Sequence, residues 1–273
     1  MNKYADLHIH SSYSDGVLTP RKIMEKARQR RLKAISITDH DTFNGSFEAL
    51  KLADEYDVEV LPGIEFSCEF EGHDIHVLGY FNNKDLSRLD DVLNHLRKKR
   101  IDRAFKMAEK FKDIGIDIPI NEIIENNESI GRPHFARELL KQGIVESFDE
   151  AFERYLTPGK PCYVPKEKLT VSEGIQMIHS LNGVAILAHP GLIEDELVVQ
   201  KLIVEEFDGF EVYHPKHTQN DKLRFYGICK NKVLLVTGGS DFHQEGTSKK
   251  SQIGGEKLAY SYVEDIYKFL SKK

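Results

Sequence analysis

Histidines, aspartates and glutamates recur in this chain at spacings that suit metal ions. His8 and His10 flank a single apolar residue. On a β-strand, side chains two positions apart share a face, so both imidazoles can converge on one ion. Asp15 follows five residues later in a Ser/Gly-rich turn, where a carboxylate can fold back toward that face. Imidazole with carboxylate suits zinc, manganese or iron better than calcium or magnesium alone. His-x-His by itself also occurs on ordinary edge strands, so its weight comes from recurrence. His40 lies in Thr38-Asp39-His40-Asp41, Glu65 in Pro62-Gly63-Ile64-Glu65 and His76 in the run 74–81. His189 follows Leu187-Ala188, and Asp241 and His243 close Gly239-Ser240-Asp241-Phe242-His243. These nine residues exceed what one four- to six-coordinate ion can use, so they imply two or three ions.

The elements that must position them are short apolar runs. Seven candidate strands stand out: one around His8, then 34–38, 58–61, 74–81, 183–188, 208–213 and 232–237. Nearly all are separated by helix-like segments, such as the one opened by Thr19-Pro20 and the one over 46–56. Alternating β and α segments predict a parallel sheet. Ligand-type residues at the C-terminal ends of successive strands are the layout of a closed β/α barrel. An open doubly wound sheet gathers its ligands at one crevice, and no GxGxxG or GxxxxGKS sequence supports one here. The fold class expected is therefore α/β, with a barrel.

From about residue 83 to 165 the pattern changes. Leu86, Leu89, Leu93 and Leu96, then Ile101, Phe105, Ala108 and Phe111, predict one or two long amphipathic helices. Short helices are predicted over 121–125, 133–142 and 148–155, and the stretch Thr157-Pro158-Gly159-Lys160-Pro161 closes the segment. This reads as a helical insertion, with a barrel formed by 1–98 and 160–273 around a helical subdomain at 99–159.

Composition narrows the function classes. A chain of 273 residues with 40% hydrophobic content can bury a full core. A net charge of −6 argues against a generic polyanion-binding protein, though not against a local basic pocket. Cys68, Cys162 and Cys229 are scattered and odd in number, so they read as reduced thiols. The N-terminus carries no apolar signal region and no window resembles a membrane span, which predicts a cytoplasmic protein with no membrane partner.

The motifs ADLHIHSSYSDG, ITDHDT, PGIEFS, IHVLGY, LAHPG and GSDFH stand in the order found in the PHP (polymerase and histidinol phosphatase) superfamily. The chain resembles that superfamily over essentially its whole length. Its helical segment, with GRPHFAR at 131–137, is similar to the insertion of one branch. That branch comprises stand-alone phosphatases of nucleoside 3′,5′-bisphosphates and enzymes that trim short RNA from the 5′ end. The resemblance implies a distorted (β/α)7 barrel with an all-helical inserted subdomain. It also implies three ions: one on His8, His10, Glu65 and Asp241; a second on Glu65, His76 and His189; a third on Asp15, His40 and His243. Manganese is the first expectation, with iron and zinc also suited to these donors. The implied chemistry is attack on phosphorus by a metal-bridging hydroxide held by Glu65, with His189 and His243 as candidate proton donors. Other readings are a small-metabolite phosphatase, such as a histidinol phosphatase, and a non-catalytic PHP binding module.

Substrate contacts are expected at Arg132 and His134, where Gly131-Arg132-Pro133-His134 opens a helix beside a guanidinium. Lys160 and His217 are further candidates. Asp39 and Asp41 flank His40 and can orient it, and Glu211 and His214 stand at a strand end near the ligands. The basic run 97–100 reads as the solvated face of a long helix, and Phe43, Phe66, Phe81 and Phe135 as core.

Overall fold

A computed structural model describes residues 3–82, 89–127, 130–165, 168–245 and 252–273, with side chains in the helix that begins at Leu89 described from Lys98 onward. The leucines at 86, 89, 93 and 96 lie outside the described side chains.

The elements run β1 (Tyr4–Ile9), α1 (Pro20–Gln29), β2 (Ala34–Ile37), α2 (Asn44–Tyr56), β3 (Glu59–Val60), β4 (Gly63–Phe70) and β5 (His73–Tyr80). The helical segment follows with α3 (Leu89–Asp113), α4 (Ile120–Glu125), α5 (Arg132–Lys141) and α6 (Phe148–Ala151). The chain returns through β6 (Leu169–Thr170), α7 (Val171–Ser180), β7 (Val184–Leu187), α8 (Glu196–Leu202), β8 (Gly209–Tyr213), α9 (Gln219–Lys232), β9 (Leu235–Gly238), β10 (Leu258–Ala259) and α10 (Ser261–Leu270). Helix starts follow local chemistry. Thr19 caps α1 with Pro20 in its first turn, and Thr170 with Glu173 and Thr218 with Asp221 form capping boxes on α7 and α9.

The expected closed, parallel barrel is not what the strands form. The described strands make two sheets, ordered β10-β1-β2-β3 and β6-β4-β5-β7-β8-β9. The second is mixed, because β5 runs antiparallel to both β4 and β7. The cause is local. Glu71 and Gly72 both take positive φ (49° and 83°), which turns the chain through two residues and zips β4 onto β5 from Phe70↔His73 to Gly63↔Tyr80. The sheets meet at two single bridges, Ile9↔Phe242 and His40↔Glu65. Both bridges fall among the ligand-type residues, so the candidate centre sits where the sheets abut.

The helical segment has a core of its own, drawn from residues between Ile101 and Val164. Phe111 and Phe135 stack at its centre, 5.9 Å apart. Among the described residues, no helix is long and apolar enough to cross a membrane.

Fully buried Asp6 ties the first sheet to the loops after β9. Its carboxylate accepts from the backbone N–H of Ser240 (2.8 Å) and of Gly254 (2.8 Å). Asp6→Ala strands both donors. It should lower unfolding free energy by about 3 kcal/mol, measured by urea denaturation; an unchanged midpoint would show that the tie contributes nothing.

Candidate metal centre

Glu65 is the hub. Buried on β4, its carboxylate lies within reach of five imidazoles: Oε1 is 3.4 Å from His8 Nε2, 3.0 Å from His76 Nδ1 and 3.2 Å from His189 Nε2. Oε2 is 3.2 Å from His10 Nε2 and 3.1 Å from His40 Nδ1. Asp241 Oδ1 approaches His8 (3.5 Å), His10 (3.3 Å) and His243 (3.5 Å). Asp15 approaches His10 (3.7 Å), His40 (3.8 Å) and His243 (3.4 Å). All nine ligand-type residues read from the sequence are therefore gathered in one place.

A surrounding set of groups aims them. Glu211 accepts from His8 at Nδ1 (3.0 Å) and from the backbone N–H of His189 (2.8 Å). His214 reaches Asp241 Oδ2 at 3.2 Å. Asp39 is fixed by the Ser11 N–H (2.7 Å) and by the Ser11 and Ser14 hydroxyls (both 2.6 Å), which shapes the loop carrying Asp15. Asp41 accepts from Ser67 N–H and is gripped by the Arg100 guanidinium, whose Nη1 also donates to Ile130 O. Arg100 is thus a buried clamp on the residue beside His40, not part of a solvated helix face. Asp41, His189 and Asp241 all take positive φ, at 53°, 29° and 49°. Non-glycine residues rarely adopt that region, and a functional site is where such strain collects. Gly239 has the opposite role: a Cβ there would collide with the His8 backbone.

Charge is strongly coupled here. Burial opposes the charge on His10, but hydrogen bonds to Asp241 and Glu65 with the Glu65 and Asp15 charges push it up to about 10. Burial likewise opposes charge on His8, and Glu211, Glu65 and Asp241 outweigh it and drive it up. Burial also disfavours the charged carboxylates, yet the neighbouring imidazoles hold Asp15, Glu65 and Asp241 well below the ordinary range. Burial, with the neighbouring His10 and His76, pulls His40 down to about 3 against the Glu65 and Asp15 charges.

The donors fit divalent cations. Among the described residues, buried His10 Nδ1 has no hydrogen-bond partner, a costly state that an ion would relieve. Three ligand groups lie within mutual reach: His8, His10 and Glu65; His40, Glu65 and His76; and His10, Asp15, His40 and His243. These groups overlap and do not select one partition: Glu65, His76 and His189 also lie within 3.3 Å of one another, and Asp241 stands 3.5 Å from His8 and 3.3 Å from His10.

The substrate candidates scatter. His134 is buried, its Nδ1 accepting from Gly131 N–H at 3.1 Å and its Nε2 unpartnered. Arg132 turns away: it sits over the Phe152 ring (5.6 Å) and donates to Leu156 O. Lys160 is exposed in a turn beyond the helical core. His217 is buried with both nitrogens engaged, at Val212 O (2.9 Å) and Gly191 N–H (3.1 Å), so it braces the loop after β8 and offers no ring atom to a ligand. Arg137 was not singled out from the sequence, although it ends GRPHFAR one helical turn beyond Pro133. It donates to Asp15 O at 2.6 Å and lines, with Lys216, Phe148, His214 and His243, a cleft of about 620 Å³ beside the centre.

A family profile described as PHP domain matches residues 6–156. The chain belongs to the PHP domain family. It is 32% identical to a 3′,5′-nucleoside bisphosphate phosphatase of Chromobacterium violaceum, over 88% of this chain and 87% of that one. It is 31% identical to the 5′-3′ exoribonuclease Rnm of Escherichia coli, over 88% of this chain and 85% of that one. A Bifidobacterium adolescentis structure assigned as a metal-dependent phosphoesterase superposes with a TM-score of 0.83 at 28% identity, covering 97% of this chain and 96% of that one.

An ion held at a hundredfold excess over its Kd adds about 2.7 kcal/mol of stability. Manganese should therefore raise the melting temperature of this PHP protein over a chelator-treated sample. Glu65→Gln should abolish most of that increment and lower metal content by at least one ion per chain by elemental analysis. An undiminished increment in the variant would remove Glu65 from the ligand set.

Proposed function

We propose that this chain is a metal-dependent phosphoesterase that removes the 3′-phosphate from nucleoside 3′,5′-bisphosphates, with short RNA trimmed from the 5′ end as a second substrate class. One observation carries the reading: Glu65 and eight other ligand-type residues converge beside a cleft bearing Arg137 and Lys216. Likeness to the bisphosphate phosphatase of Chromobacterium violaceum over most of both chains supports the substrate class. The bridges at Ile9↔Phe242 and His40↔Glu65 support reading the two sheets together as a distorted (β/α)7 barrel whose strands are neither all parallel nor hydrogen-bonded into a closed ring. In the same reading 1–98 and 160–273 form that body, and 99–159 a helical subdomain over its mouth.

The residues that would hold the ions are His8, His10, Asp15, His40, Glu65, His76, His189, Asp241 and His243, with manganese first among the metals that suit them. Bound divalent cations supply Lewis acidity, activating water and offsetting charge on phosphate oxygens. The protein's own groups do the rest. The Arg137 guanidinium and Lys216 ammonium offer a second phosphate charge-assisted contacts. His134 stays a substrate candidate through Nε2, the ring nitrogen its contacts with Gly131 leave unused. Of the two candidate proton donors, His243 lines the cleft and His189 is turned toward Glu65 and His76; either would protonate the leaving 3′-oxygen only where it is not committed to an ion. Exposed Phe148 and Leu140 line the same cleft and give a base apolar surface to lie on.

Manganese-loaded protein should release phosphate from adenosine 3′,5′-bisphosphate, and chelation should stop it. Release from histidinol phosphate instead would redirect the substrate assignment, and no release from either would leave a binding module. Arg137→Ala should raise KM for the bisphosphate about tenfold, the scale of one lost charged hydrogen bond. Arg132→Ala should change KM by less than about twofold; the reverse ranking would restore Arg132 to the substrate site.

A further inference from the structure

A strongly basic feature of this acidic chain lies far from the metal centre. A cleft of about 760 Å³ opens where the N-terminal ends of β1 and β2 meet the C-terminal ends of α1 and α2. Lys3, Arg28, Arg30, Arg31, Lys33 and Lys257 line it, against Asp57 as the one lining carboxylate among the described residues. The chain as a whole carries −6. Tyr4, at the start of β1, lines the cleft, while His8 and His10 belong to the centre. Six residues of extended chain separate Tyr4 from His10, roughly 20 Å.

Structural roles do not account for this concentration of charge. Cations complement the carbonyl ends of helices, which explains Arg28 and Arg30 at the end of α1. Lys3, Lys33 and Lys257 come from strand ends and a loop, where no such dipole acts; Lys3 and Lys257 lie over the Tyr260 and Tyr4 rings (5.8 and 5.2 Å), contacts that leave their charge uncompensated. None of the six pairs with a carboxylate among the described residues; Arg30 donates to the neutral Gln252 at 2.5 Å. Six like charges around one concavity repel one another, and an anion in the cleft would relieve that. The volume suits a small ligand. One phosphate cannot engage cations spread over this many elements, whereas a chain of phosphates can. The cleft's aromatic rings already carry cations, Tyr4 under Lys257 (5.2 Å) and Tyr56 under Arg21 (5.8 Å), so they offer no clear face for a base.

We propose that this cleft is a second anion site, separate from the metal centre, that binds a short chain of phosphates, either free or as the tail of a nucleoside triphosphate. The test is calorimetric titration of tripolyphosphate, and separately of ATP, into the metal-loaded full chain. Magnesium in excess of the probe keeps it from stripping the resident ions. The wild type should bind both probes. Arg28→Ala/Arg31→Ala/Lys257→Ala should weaken both by about tenfold or more, the cost of losing at least one charged contact. Its turnover should be unchanged, since none of the three touches the centre. Lys110→Ala/Lys112→Ala, which removes two exposed charges from the end of α3, serves as the control and should bind like wild type. Equal affinity for the two probes would identify the phosphate chain as the whole ligand, and tighter ATP binding would add the nucleoside to it. The proposal is overturned if wild type binds neither probe, if the triple variant binds as wild type does, or if the control weakens as much as the triple variant.

Discussion

A single buried carboxylate surrounded by five imidazoles governs this molecule. Glu65 is withdrawn from water, where its charge survives only against compensating positive charge. Without cations the neighbouring histidines must take up protons to hold it, which is the tendency seen at His8 and His10. With cations those protons are displaced. Ions and protons therefore compete for one set of donors, and the supporting carboxylate Glu211, on Nδ1 of His8, turns that ring's Nε2 inward.

Geometry enforces the same convergence. The two sheets touch through single bridges at Ile9↔Phe242 and His40↔Glu65, where the backbone of one sheet hands ligands to the other. Asp41, His189 and Asp241 leave their strands in the left-handed region, a local cost sustained by burial and hydrogen bonding on every side.

The ligand-type residues were legible in the sequence because their types are rare in apolar runs and their motifs stand in a recognisable order. The strand-helix alternation was legible as well, since short apolar runs and the Thr19-Pro20 helix start announce themselves. What could not be read was direction. Run 63–70 looks like a loop leading out of a strand until Glu71-Gly72 is seen to turn it back, and that reversal is what makes the sheet mixed. Side chains that act across long separations were also hidden. Nothing local distinguishes Arg137 from Arg132, or marks Arg100 in a basic run as the partner of an aspartate 59 positions earlier.

That last contact bears on how molecules travel to and from the centre. Arg100 belongs to the long helix and Asp41 to the loop beside His40, and the pair is almost wholly shielded from solvent. Swinging the helical segment outward would have to part them, so the pair opposes that motion. The cleft between α5 and the loops after β8 and β9, beside the centre, stands open without it.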